Sequence, residues 1–135
     1  MDHPHPSPPP ASPNAQAGSF GRLRDFDANE SDRAYSMVMH ILAAVAVWTF
    51  VPFFVIPILW LIKKDDSPFI DDHGRELTNL FLTDLLISVL AIVSFGFLLP
   101  LALIWNIFIT VAAIRGAMAS KDQEYFRYPM TFRFV

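Results

Sequence analysis

The chain has 135 residues, 53% of them hydrophobic and only 17% charged, with a mean hydropathy of +0.39 and a formal net charge of −3. So much apolar mass with so little charge excludes an ordinary small water-soluble domain. The net negative charge argues against nucleic acid as a partner, which needs a clustered cationic face to displace counterions. The lack of cysteine removes disulfides, thiolate metal sites and a cysteine nucleophile.

Met1 to about Gly18 contains six of the eleven prolines and little to bury, so residues 1–31 are expected to form a disordered, Pro-rich cytoplasmic tail. His3 and His5 in this tail are read as solvated. From Ser19 to Asp32 the large apolar residues Phe20, Leu23 and Phe26 recur every third position, a spacing that suits a short helix on a membrane surface. Asn29 to Asp32 supply capping side chains, and a helix is expected to begin there.

Met37 to Ile62 is an apolar run with His40 and Thr49 as its polar members. Its roughly 26 residues would make about 39 Å of helix, enough for one tilted crossing. Pro52 and Pro57 remove two backbone donors and predict a bend or re-entrant turn between Val51 and Pro57. After the polar KKDDSP connection, Ser67 is placed as N-cap and Pro68 at the first helical position. That helix should run to about Phe95, turn at Gly96 to Pro100, and return as a second apolar helix to about Ser120. Glu124 to Val135 changes to period two: aromatic residues and Met130 alternate with Arg127, Pro129, Thr131 and Arg133.

None of the ten lysines and arginines lies in the Gly96 turn. If residues 37–62 fold back, all ten share one side, which the positive-inside rule prefers over a single crossing. The fold class is therefore an all-α integral membrane protein of two helical hairpins, with about four transmembrane or re-entrant helices. It would be a multi-pass protein of the bacterial cytoplasmic membrane.

Three strings, RAYSMVMHILAA, WLIKKDDSPFIDDHGRELTN and EYFRYPMTFRFV, resemble a family of small bacterial membrane proteins of unknown function described as Tic-twenty-like. The name refers to a subunit of the chloroplast inner-envelope import translocon. The resemblance spans 32–135 and implies a compact four-helix membrane domain and, remotely, an association with protein translocation. Members commonly continue the HGRE segment with Asn, Phe and Gln, whereas here Leu80 and Phe81 follow Asn79.

Asp72, Glu76, Asn79 and Thr83 fall at i, i+4, i+7 and i+11 and form one polar stripe, with His73 and Asp84 nearby on the same helix. Asp84, about two turns into an apolar run, is costly unless paired, neutralised or hydrated. It reads either as an interfacial hydrogen-bonding acid or as a proton or cation site. His40 can approach His73 and Glu76, a donor set that suits zinc or iron, but a structural cluster is preferred and neither a metal nor another cofactor is assigned. Ala112, Gly116 and Ser120 make a small-residue face for close helix packing. Lys63, Lys64, Arg127 and Arg133 are placed at lipid headgroups. With no phosphate loop, nucleophile elbow or other catalytic set, the chain reads as a non-enzymatic membrane module whose partners are the bilayer and either another protein or a second copy. The alternative is a small proton, cation or solute transporter subunit using the stripe and Asp84.

Overall fold

In the computed structural model the described residues are 15–17, 21–49 and 54–135. The order is β1 (Ala15–Ala17), β2 (Leu23–Asp25), α1 (Glu30–Ala46), α2 (Val55–Lys63), α3 (Pro68–Val93) and α4 (Leu99–Lys121). The tail histidines His3 and His5, Phe20 and Pro52 lie outside the described residues.

Part of the stretch read as tail has regular structure. β1 and β2 pair antiparallel, with Gln16 opposite Arg24. β2 also meets the chain beyond α4, where Asp25 N–H donates to Gln123 O at 2.8 Å and Tyr125 N–H to Leu23 O at 2.9 Å. Leu23 therefore lies in a strand and not in the surface helix that the three-residue spacing suggested. The expectation failed because the backbone partners come from residues 100 positions away, which no local period can report.

Two helix starts follow their caps. Asn29 Oδ1 accepts from Asp32 N–H at 2.9 Å at the head of α1. α3 begins at Pro68 after Ser67, where the missing proline N–H costs nothing. Pro57 is tolerated for the same reason, being the third residue of α2.

The apolar run of 37–62 folds back on itself. Tyr35, near the start of α1, donates its hydroxyl to Leu59 O at the middle of α2 at 2.8 Å, so α1 and α2 form a hairpin and not one long rod. α1 packs chiefly on α4, and α2 on α3. At the far end of α1, Asn106 Nδ2 donates to Val47 O at 3.2 Å and Trp48 Nε1 to Thr110 Oγ1 at 2.9 Å. Near its beginning, Arg33 Nη1 donates to Lys121 O at 3.3 Å. α1 therefore runs antiparallel to α4 and stops about 10 Å short of the first residue of α4, seven residues at 1.5 Å each beyond Asn106.

α3 and α4, with 26 and 23 residues, are long and apolar enough to cross a membrane. α1 and α2, with 17 and 9 residues, measure about 26 and 14 Å, short for a hydrocarbon core of about 30 Å. Burial changes along the long hairpin. Most of α3 from Phe69 to Asp84 is buried, whereas from Leu85 to Val93 only Ala91 is, and α4 has no buried residue before Ile109. The connecting turn exposes Phe95 and Phe97 almost fully, with Gly96 at φ 83° closing α3 through its N–H to Ala91 O. The molecule thus has a packed polar end and an apolar two-helix stem.

Candidate functional site

The polar stripe of α3 is a docking track for residues 126–135. Asp72, Glu76, Asn79 and Thr83 are all buried and all bind that segment. Arg127 forks onto Asp72, Nη1 to Oδ2 at 2.5 Å and Nη2 to Oδ1 at 2.7 Å, a bidentate geometry that only a guanidinium supplies. Glu76 takes Arg133 on Oε1 and the Tyr128 N–H on Oε2 at 3.1 Å. Asn79 Oδ1 accepts the N–H groups of Phe134 and Val135 at 2.7 and 3.0 Å, while its Nδ2 donates to Val135 O at 3.2 Å. Thr83 Oγ1 accepts Phe132 N–H at 3.0 Å and donates to Asn79 O at 2.9 Å. Side chains of a helix thus supply the backbone partners that a neighbouring strand would otherwise give to Tyr128, Phe132, Phe134 and Val135, while the segment itself turns at Pro129–Met130, where Met130 has φ 61°.

Arg127 and Arg133, placed at headgroups from the sequence, direct these guanidinium groups onto α3 carboxylates. Lys63 pairs with Asp66 at 2.7 Å on the exposed end of α2, and Lys64 follows it there half-buried.

His40, His73 and Tyr128 form a buried chain whose direction can be worked out. His73 Nε2 lies 3.1 Å from Glu124 O, a carbonyl that only accepts, so Nε2 carries the proton and Nδ1 is an acceptor. His40 Nε2, 2.8 Å from that Nδ1, must then be the donor. His40 Nδ1 is left as acceptor for the Tyr128 hydroxyl at 2.6 Å. Burial pushes the Tyr128 phenol well above its ordinary range, with Glu76 adding to the shift, so the hydroxyl keeps the proton it donates. Every polar atom is satisfied with both imidazoles neutral. The 2.8 Å between the two ring nitrogens suits a hydrogen bond. Two nitrogens bound to one tetrahedral zinc at about 2.0–2.1 Å would stand roughly 3.3 Å apart.

The small-residue face makes this chain possible. Ala112, Gly116 and Ser120 are buried where α4 meets α1 and α3. A Cβ on Gly116 would come within 2.5 Å of His40 Nδ1, so only glycine leaves room for the ring. Ser120 Oγ donates to Gly116 O at 3.0 Å and sits 3.4 Å from His73 Nδ1.

Asp84 stands apart from these networks. It is 5% exposed, and among the described residues its Oδ1 has no hydrogen-bond partner. The Trp105 indole of α4 is the polar side chain that faces it.

Sequence reasoning missed Tyr128 and Glu124. Glu124 is 1% exposed and lies between Arg22 Nη1 at 3.3 Å and Arg24 Nη2 at 3.6 Å. The available signal was the alternation itself, because an extended segment with one aromatic face needs somewhere to bury it.

Residues 31–135 match the family described as the magnetosome magnetite crystal formation protein family, MamF/MmsF. Among curated proteins and among solved structures nothing matches. The family match overturns the Tic-twenty-like resemblance and with it the link to protein translocation. The strings that carried that resemblance lie within α1, across the α2–α3 connection and in the segment docked on α3. Packing against a partner segment constrains such residues, and short strings of this kind distinguish families poorly. By its match over residues 31–135, the chain belongs to the magnetosome magnetite crystal formation protein family.

Proposed function

We propose that the protein serves magnetite crystal formation as a non-catalytic module of a bacterial membrane, acting through helix contacts with a protein partner or a second copy. The observation that carries this reading is the mutual pairing of the α3 stripe with residues 126–135 at the polar end. The stripe, both histidines and the two arginines of residues 126–135 spend their hydrogen bonds on one another, which fixes the bundle and presents no reactive group. The surface left over is apolar along the stem. In this arrangement α3 and α4 cross the bilayer, and α1 with α2 forms a re-entrant hairpin from the cytoplasmic side. Residues 1–31 belong to that side, ahead of a membrane domain of 32–135.

Single cysteines test the arrangement, since the chain has none of its own. Asp66→Cys and Lys121→Cys, both exposed, should resist a membrane-impermeant maleimide applied outside intact cells, and Phe97→Cys should react. Equal protection of all three would remove the two crossings.

A second reading, a proton or cation pathway, is favoured by the unbonded Oδ1 of Asp84. Asp84→Asn separates the two, because an amide keeps the hydrogen-bonding capacity but cannot exchange a proton. In liposomes holding a pH-sensitive dye, the module reading expects no flux from either form, and magnetite crystal size in a producing cell unchanged by the substitution. Flux that vanishes in Asp84→Asn would establish the pathway instead.

A further inference from the structure

The depth of α3 in a bilayer fixes what surrounds the last residues of the chain. The turn at Gly96 interrupts the helical ladder and is exposed, and backbone of that kind belongs at headgroups and not among lipid tails. With that turn at the far headgroups, a hydrocarbon core of about 30 Å takes up about 20 residues of α3 and reaches back to about Glu76. Asn79 and Thr83 then lie about 4 and 10 Å inside the near boundary. Residues 132–135 are tied to both side chains, Phe132 N–H to Thr83 Oγ1 and the N–H groups of Phe134 and Val135 to Asn79 Oδ1. The loop that follows the turn at Met130 therefore enters the leaflet with them.

The side chains divide along the same axis. Arg127 and Arg133 turn back to Asp72 and Glu76, at or outside the boundary, whereas Met130 and Phe132 are 80% and 60% exposed and Phe134 is more than half exposed. At the level of the loop Leu82, Leu85 and Leu86 of α3 are exposed as well, so the loop continues the apolar surface of the stem. We propose that residues 130–135 are an apolar loop inserted into the outer acyl region of the cytoplasmic leaflet, with Met130, Phe132 and Phe134 among lipid tails. Unpaired N–H groups ordinarily bar extended backbone from that depth, and here side chains of α3 supply the acceptors for Phe132, Phe134 and Val135. Immersion by up to about 10 Å is what the apolar faces of helices lying in the interface reach. The loop's position rests on α3 crossing the bilayer, as proposed above.

The test uses the full chain in dioleoylphosphatidylcholine liposomes, with a nitroxide on one introduced cysteine at a time. Collisions with oxygen, which concentrates among the tails, and with a water-soluble nickel chelate report the depth of each label. Phe132→Cys and Phe134→Cys probe the loop, and both substitutions leave the N–H bonds to α3 untouched because those bonds come from the backbone. Leu86→Cys, near the bilayer centre, and the exposed Asp66→Cys are the references. Both loop labels should favour oxygen, as Leu86→Cys does and Asp66→Cys does not. Position 132 should lie about 6 Å deeper than position 134, the rise from Asn79 to Thr83. Nickel collision at both loop positions equal to that at Asp66→Cys, with Leu86→Cys among the tails, would put the loop in water and overturn the proposal while α3 still crosses. The same collision at Leu86→Cys would remove the crossing and the proposal together. Shielding of the loop labels from both reagents would place them against protein, a second copy where dipolar broadening accompanies it, and would overturn the proposal too.

Discussion

Arg127→Met combined with Arg133→Met is expected to destabilise the folded chain by about 3 kcal/mol, the lower end for a broken buried ion pair because both guanidinium groups are partly open to water. Methionine retains much of the length and apolar stem, so the loss isolates the charge. Asp72 and Glu76, 2% and 4% exposed, would be left as buried carboxylates without counterions. Thermal unfolding in detergent, followed by circular dichroism, measures the effect. Adding Asp72→Asn and Glu76→Gln to the same chain removes the stranded charges and should return most of the stability. If the fourfold variant were no better than the double one, the arginines would be acting through packing of their stems and not through charge.

Gly116→Ala should destabilise by about 2 kcal/mol, against the roughly 1 kcal/mol by which helix propensity favours alanine. The added methyl would lie 2.5 Å from His40 Nδ1 and 2.6 Å from Cε1, and the ring is pinned at both nitrogens. Shifting it breaks the Tyr128 and His73 bonds and strands buried polar atoms, at about 1–3 kcal/mol for each unsatisfied group. His40→Ala relieves the clash, so the double variant should be more stable than the sum of the single effects predicts. Additive losses would show that the methyl is accommodated by helix displacement and leaves the imidazole in place.

Features set by neighbouring residues were legible in the sequence. Asn29 and Ser67 announced their helices, and the distribution of cations together with Pro52 and Pro57 argued for a chain that folds back before Lys63. The stripe at Asp72, Glu76, Asn79 and Thr83 was equally visible as a face, but its occupant was not. Helical spacing states which residues point the same way and carries no information about what arrives from 49 to 57 positions further along. The terminal alternation was read as one extended segment with an aromatic and a cationic face, but a turn at Pro129–Met130 breaks the period, leaving Phe126 and Tyr128 buried and Met130, Phe132 and Phe134 exposed. Its destination remained open because an arginine suits a phosphate and a carboxylate equally well. The pairing of β2 with residues 123–125 had no local sign at all, since a three-residue strand held by distant backbone has no period to detect.

The docking track also imposes an order on biogenesis. Synthesis at about 5–20 residues per second puts an interval of roughly 3–11 s between the making of α3 and the making of the residues that satisfy it. Throughout that interval Asp72, Glu76, Asn79 and Thr83 have none of their partners from residues 126–135, and hydrocarbon would be a poor host for them. The first half of α3 must therefore wait in water or at the headgroups while its second half is already apolar enough to insert. Closure of residues 126–135 over the stripe is what draws it under cover. On the membrane arrangement proposed above, the molecule would mature from the stem toward the polar end, and a nascent chain stalled before Arg127 would be membrane-bound yet unfinished.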